Sequence, residues 1–160
     1  MKVKAVDIVK KHKNIEYVSP DKGLAWADLV FVCLPLTDKT KGMFSYSQFK
    51  KMNKGSFLVN VGRGETTPIQ DLTRAMDEKI LEGVGLDVYE EENVIGDLLR
   101  AKMVQDVRVK RLLKFAKREN VLCTPHNAFN SLEAVERKSK LAVDSFKQLQ
   151  KNKKFIWEIK

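Results

Sequence analysis

Cysteine is scarce in this chain, and its placement argues against a stapled fold. Cys33 and Cys123 are the only two among 160 residues, and neither has a CxxC or Cys/His neighbour at zinc-ligand spacing. They read as free thiols in apolar strands; the alternative, a single disulfide, fits poorly with a chain that shows no export signal. Also missing is any apolar run of the roughly 20 residues that cross a bilayer. The opening Met1-Lys2-Val3-Lys4-Ala5-Val6-Asp7 has no signal-peptide stretch. A soluble, cytoplasmic protein is the expectation. With only 8 glycines and 4 prolines, collagen-like and low-complexity chains are excluded. What is present is 43% hydrophobic and 32% charged residues, the composition of one globular domain that can bury a core.

Positive charge exceeds negative by 9, and the excess is C-terminal. From Arg100 onward stand 16 Lys and Arg against 6 Asp and Glu, whereas the rest of the chain is nearly balanced. The densest stretch holds Arg100, Lys102, Arg108, Lys110, Arg111, Lys114, Lys117 and Arg118 with Val109, Leu112, Leu113 and Phe115 between them. Helical spacing puts the apolar residues on one side and the cations on the other. A solvated helix face accounts for this, and so does a surface for an acidic partner. No aromatic RNA-binding pattern or zinc-finger spacing points to nucleic acid.

Along the chain, strand-like and helix-like segments take turns. Val3-Lys4-Ala5-Val6-Asp7-Ile8 and Ile15-Glu16-Tyr17-Val18 read as short strands. Ser19-Pro20-Asp21 reads as a helix start with proline in the first turn. Leu29-Val30-Phe31-Val32-Cys33-Leu34 is a continuous apolar run of the kind found in strands covered on both faces. Ser45-Tyr46-Ser47-Gln48 and Thr67-Pro68-Ile69-Gln70 look like capping boxes, the first helix stopping at Gly55 and the second running to about Lys79. Strands are expected at Phe57-Leu58-Val59-Asn60-Val61, Val84-Gly85-Leu86-Asp87-Val88-Tyr89 and Val121-Leu122-Cys123-Thr124. The basic helix precedes the last of these, and a final helix starts near Asn130 or Ser131 with Leu132, Val135, Leu141, Ala142, Phe146 and Leu149 on its apolar face. The pattern predicts an α/β fold with an open, mostly parallel, Rossmann-like sheet. Such sheets take ligands beyond the carboxyl ends of their strands.

Those strand ends carry chemistry. Leu34 leads into Pro35-Leu36-Thr37, Val61 into Gly62-Arg63-Gly64, Leu86 into Asp87 and then Glu90-Glu91-Glu92, and Thr124 into Pro125-His126-Asn127. A guanidinium between glycines suits two parallel hydrogen bonds to a carboxylate. A histidine beside a carboxylate suits proton transfer near neutral pH. Singly, Arg63 could pair with a surface acid, the acids could be a loop cluster and His126 a turn residue. Their recurrence after successive strands argues against coincidence. No ligand set for a metal emerges.

In order, Ala27-Asp28-Leu29-Val30 through Leu34-Pro35-Leu36-Thr37, Val59-Asn60-Val61-Gly62-Arg63-Gly64, Gly85-Leu86-Asp87-Val88-Tyr89-Glu90 and Thr124-Pro125-His126 resemble the signatures of the D-isomer-specific 2-hydroxyacid dehydrogenases. The resemblance covers residues 1–150, a partial NAD-binding domain, and leaves 151–160 as a C-terminal tail. It implies NAD as cofactor and hydride transfer between NAD(H) and a 2-hydroxy or 2-oxo acid. It assigns Arg63 to the substrate carboxylate and reacting carbonyl, Glu92 to a pair with the catalytic histidine, and His126 to acid/base work. Asp7 would bond the adenosine ribose, favouring NAD over NADP. Asp87 would sit near the nicotinamide carboxamide. Leu34, Pro35, Leu36, Thr37, Val61, Gly62 and His126 would border the cofactor.

The resemblance also shows what does not match. The family's cofactor domain opens with a strand and a GxGxxG turn that meets the pyrophosphate at a helix N-terminus. None of the eight glycines here forms that spacing. The sequence corresponds to the family from its second strand onward, without the substrate domain, which Phe155-Ile156-Trp157 is too short to rebuild. In the doubly wound order the first strand is central. The expectation is therefore a rearranged sheet, a homo-oligomer, or a partner chain supplying the strand, with the isolated chain inactive. The competing reading is a non-enzymatic remnant or binding protein that uses an exposed sheet edge and the basic helix.

Overall fold

The computed structural model describes residues 1–153; Phe155-Ile156-Trp157 lies outside them. The chain forms two compact units, Met1–Pro125 and His126–Lys160. The first contains two separate parallel sheets. β1 (Lys4–Ala5) pairs with β2 (Glu16–Tyr17), and β3 (Leu29–Val32), β4 (Ser56–Asn60), β5 (Leu81–Leu86) and β6 (Val121–Cys123) pair in sequence order. Pairing in register sets Val32 beside Asn60, Asn60 beside Leu86, and Leu86 beside Cys123. All four strands therefore end on one rim.

Helices α1 (Pro20–Trp26), α2 (Tyr46–Phe49), α3 (Ile69–Asp77), α4 (Glu92–Arg100) and α5 (Val107–Ala116) connect these strands. In α3, Ile69, Leu72, Ala75 and Met76 recur at helical spacing and are all buried. In α5, Val109, Leu112 and Phe115 do the same. They meet Val32, Leu58, Leu81, Val84 and Leu86 of the sheet, with Phe49 fully enclosed, in one core. The second unit is built on α6 (Leu132–Asn152), whose N-cap Ser131 accepts a hydrogen bond from the Ala134 amide.

Several expectations change. The apolar run at Leu29 forms a strand covered on one face only, because no helix among the described residues packs over the side of the sheet on which Leu29 and Phe31 stay exposed, as do Phe57 on β4 and Leu122 on β6. The expected open, parallel sheet forms in two pieces, and its strands are not rearranged. Neither capping box forms. The Ser45 hydroxyl bonds Ser47, and α2 lasts one turn; the Thr67 hydroxyl is taken by Asn60, and the first amide of α3, at Ile69, is capped instead by the Glu90 carboxylate at 2.7 Å. The basic stretch is not one helix: Arg100 ends α4, Lys102 lies between the helices, Arg108 to Lys114 are in α5, and Lys117 and Arg118 follow it. The apolar positions along α6 include no buried residue. Both thiols are free, and Cys33 is exposed one residue beyond β3.

Two predictions follow from this packing. Leu58 is fully buried at the centre of β4, so Leu58→Ala is expected to cost about 3 kcal/mol by urea denaturation, with an unchanged m value. Asp106 caps α5, accepting from the Arg108 amide at 2.8 Å and from its guanidinium at 2.9 and 3.0 Å. These bonds hold its pKa down to about 2. A depressed carboxylate pKa stabilises the fold above the ordinary value near 3.8, and that contribution disappears as pH falls toward 2. Asp106→Asn should flatten that part of the acid limb in a thermal-melt series.

Candidate active site

At the end of β4 the strand turns from apolar to polar at Asn60, which is fully buried. Its amide nitrogen donates to the Arg63 carbonyl at 2.9 Å, the Thr67 hydroxyl at 2.7 Å and the Thr66 hydroxyl at 3.2 Å, and its oxygen accepts from the Gly62 amide at 2.9 Å. The backbone of Asn60 continues the ladder, accepting from the Asp87 amide at 3.0 Å. One side chain thus folds the chain back on itself from Gly62 to Thr67, through a 3-10 turn at Gly64–Thr66. Arg63 is left exposed at the head of that turn, its guanidinium donating to the Gly62 carbonyl at 2.7 Å.

The flanking glycines are steric requirements of this seat. A Cβ on Gly62 would lie 2.6 Å from the Leu34 carbonyl oxygen, and one on Gly64 would overlap the backbone of Tyr89 and Glu90. The loop after β3 is tied to the same turn, because Gly42 and Phe44 donate to the carbonyls of Glu65 and Thr66 at 2.8 and 2.9 Å. Within that loop the Thr40 hydroxyl donates to the Pro35 carbonyl at 2.6 Å, and the Thr37 amide donates to Thr40 at 2.8 Å. Pro35, Leu36 and Thr37 are exposed along the rim, whereas Leu34 and Val61 are half-buried.

After β5, Asp87 is buried and accepts a short hydrogen bond from the Thr124 hydroxyl. Tyr89 donates to the Thr124 carbonyl at 2.6 Å, and burial pushes its phenol pKa up. The three acids that follow divide their work. Glu90 caps α3. Glu91 adopts a left-handed conformation and faces the Arg108 guanidinium at 3.4 Å. Glu92 begins α4 half-buried.

His126 starts the second unit with φ 51°. Its ring stands edge-on to Phe129, with centroids 6.2 Å apart. Phe129 is itself covered by the Lys138 ammonium at 4.3 Å. Arg63, Glu92 and Asp87 belong to the first unit and His126 to the second.

A family model for the NAD-binding domain of D-isomer-specific 2-hydroxyacid dehydrogenases matches residues 1–128. The chain belongs to this family. A D-lactate dehydrogenase of Streptococcus agalactiae is 35% identical over 123 residues, covering 76% of this chain and 37% of that protein. A glyoxylate reductase of Korarchaeum cryptofilum is 32% identical over 136 residues, covering 85% of this chain and 36% of that protein. Among solved structures, Aquifex aeolicus D-lactate dehydrogenase, complexed with NAD and lactic acid, superposes with a TM-score of 0.79 at 28% identity. That match covers all of this chain and 51% of that one. The chain therefore spans a little over a third of these curated relatives and about half of the solved structure.

The family's cofactor can be tested against these residues. Asp7 is exposed just past β1, and Pro35 and Thr37 are exposed on the rim, so none of the three is closed off from a ligand. Asp7 accepts from the Val9 amide at 2.9 Å. Gly62 and Gly64 provide no pyrophosphate cradle, since the space beside each is filled by the chain's own backbone. No helix among the described residues is long and apolar enough to cross a membrane.

Sequence reading placed Arg63 but missed what holds it. The signal was available in Asn60, an amide inside an otherwise apolar strand. Asn60→Ala removes an acceptor for Gly62 and three donated bonds, so it is expected to cost about 3 kcal/mol in urea denaturation. Its effect on the Arg63 turn should appear as faster amide exchange at Gly62.

Proposed function

We propose that this chain is the catalytic part of an NAD-dependent D-2-hydroxyacid dehydrogenase, inactive until the pyrophosphate turn and substrate domain are supplied. The observation that carries the proposal is the Arg63 turn, fixed by a buried amide and seated on the Tyr89–Glu90 backbone. Evenly buried bonding of this kind holds a guanidinium where a substrate carboxylate can take two parallel hydrogen bonds. In this reading Arg63 grips the carboxylate and draws charge from the adjacent carbonyl. Glu92 orients the His126 imidazole, and His126 gives a proton to the carbonyl oxygen, taking it back in the reverse direction. Bound NAD(H) supplies or accepts the hydride. Asp7 binds the ribose hydroxyls of the adenosine end, Asp87 lies near the carboxamide end, and Leu34, Pro35, Thr37, Val61 and Gly62 border the cofactor.

The two free thiols, one of them exposed, support a reducing compartment, the cytoplasm, as the place of action. The split sheet supports an oligomer or a partner chain as the active form.

The test is NADH titration of the 160-residue chain by nicotinamide fluorescence, followed by 2-oxo acid reduction in an assembly with a separately expressed N-terminal strand, glycine turn and substrate domain. The expected results are weak saturable binding, reduced several-fold by Asp7→Asn, and turnover in the assembly reduced at least about 100-fold by Arg63→Gln or His126→Asn. An assembly that binds NADH and reduces no 2-oxo acid overturns the proposal.

A further inference from the structure

α3 and α5 are neighbours, and each leads back to the start of a strand, α3 to β5 and α5 to β6. Their last turns therefore lie at the end of the sheet opposite the Arg63 rim. Between the two helices is a recess of about 260 Å³, with the buried Phe115 ring in its wall. Arg111, Lys114 and Arg118 border it from one side, at the spacing that aligns side chains along one helix face. Gln70, Thr73 and Asp77 recur with the same spacing along α3.

The two ends of this ladder are filled. Arg118 donates to the Asp77 carboxylate at 2.6 Å. At the other end the Gln70 amide, turned so that its oxygen faces the guanidinium, accepts from both terminal nitrogens of Arg111, at 3.0 and 3.2 Å. That contact positions Arg111 without neutralising it, because its partner carries no charge. The middle differs. The Thr73 hydroxyl is committed to the Ile69 carbonyl at 2.7 Å, and Lys114 has no carboxylate within ion-pair distance among the described residues. Two cations and no free acid thus share one recess.

The helix dipole favours a lysine in the last turn of α5, yet it gives no reason for a guanidinium at mid-helix beside it. Like charges one turn apart repel, so the pair costs the fold something that an anion between them returns. Lys110 and Lys117 also lack a carboxylate partner among the described residues, but they are exposed and border no recess. A carboxylate balances one cation. A phosphate at neutral pH carries nearly two negative charges and has oxygens enough for a guanidinium fork and an ammonium together.

We propose that the α3–α5 recess binds a phosphate group, either inorganic phosphate or the phosphate of a small phosphomonoester. None of its residues belongs to the Arg63 rim, so the inference does not depend on the dehydrogenase reading.

The test is titration of the 160-residue chain with sodium phosphate and with glycerol phosphate, followed by amide NMR shifts at neutral pH and fixed ionic strength. Saturable shifts are expected at the Thr73 and Lys114 backbone amides and at the Gln70 side-chain amide, and sodium chloride should produce none. Arg111→Gln and Lys114→Gln should each weaken binding at least about tenfold, the effect of losing one charge-assisted hydrogen bond. Lys110→Gln removes the same charge from a neighbouring position and should change binding less than about twofold, since salt screens exposed charges. Tighter binding of glycerol phosphate assigns the recess to a phosphomonoester, and equal or weaker binding assigns it to inorganic phosphate; both support a phosphate site. If Arg111→Gln fails to fold, the comparison of Lys114→Gln with Lys110→Gln decides the matter. The proposal is overturned by shifts that rise without saturating, by equal shifts from chloride, or by equal weakening in all three variants, which would show diffuse charge attraction. It is also overturned if a glutamate-rich peptide saturates the same amides and phosphate does not, which would make the recess part of a surface for an acidic protein.

Discussion

A buried amide at the end of β4 sets the terms for the rest of the rim. Asn60 is fully enclosed, and in that environment an unmade hydrogen bond costs more than a made one contributes. Its oxygen and nitrogen can be satisfied only if the chain beyond Val61 doubles back, which brings Gly62, Arg63, Thr66 and Thr67 around it. The doubled-back turn then lies so close to Leu34 and Tyr89 that glycine is required at both flanking positions. The loop after β3 follows, tied to Glu65 and Thr66 by backbone bonds. The exposed guanidinium is the end product of a chain of buried constraints, which makes it rigid without burying its charge.

A similar logic governs the β5 rim. Asp87 is buried and receives the Thr124 hydroxyl, while Thr124 also donates its amide to Leu86 and accepts from Tyr89. The neighbouring acids acquire separate structural duties, Glu90 at the start of α3 and Glu91 opposite Arg108. Three consecutive glutamates look equivalent in sequence. They differ because only tertiary structure decides which carboxylate meets a helix N-terminus and which meets a cation.

Order and type of elements were legible, since runs such as Leu29–Val32 and the helical spacing of Ile69, Leu72, Ala75 and Met76 report directly on burial. The positions of Arg63 and Asp87 at strand ends were legible for the same reason. Caps were not. Ser45 and Thr67 have the residue type of caps, yet one hydroxyl bonds a neighbouring serine and the other serves Asn60, because a local pattern cannot show which distant donor competes for the oxygen. The one-sided cover of β3 was equally hidden. An apolar strand reads alike whether one of its faces is covered or both, and Phe31 shows the difference only through its exposure.

The two sheets also differ in what sustains them. β3 to β6 rest on the core formed with α3 and α5. β1 and β2 share only two paired positions and an ion pair between Lys4 and Glu16, whose glutamate is well exposed. Such a pair contributes little in water, and two residues of ladder are a marginal sheet. The contact of α1 with this short parallel ribbon runs through Gly23, where a Cβ would come within 3.2 Å of Val6. The rim that carries Arg63 and Asp87 thus has its own support in the larger sheet and its core, whereas β1 and β2 hold together on little besides their two paired positions.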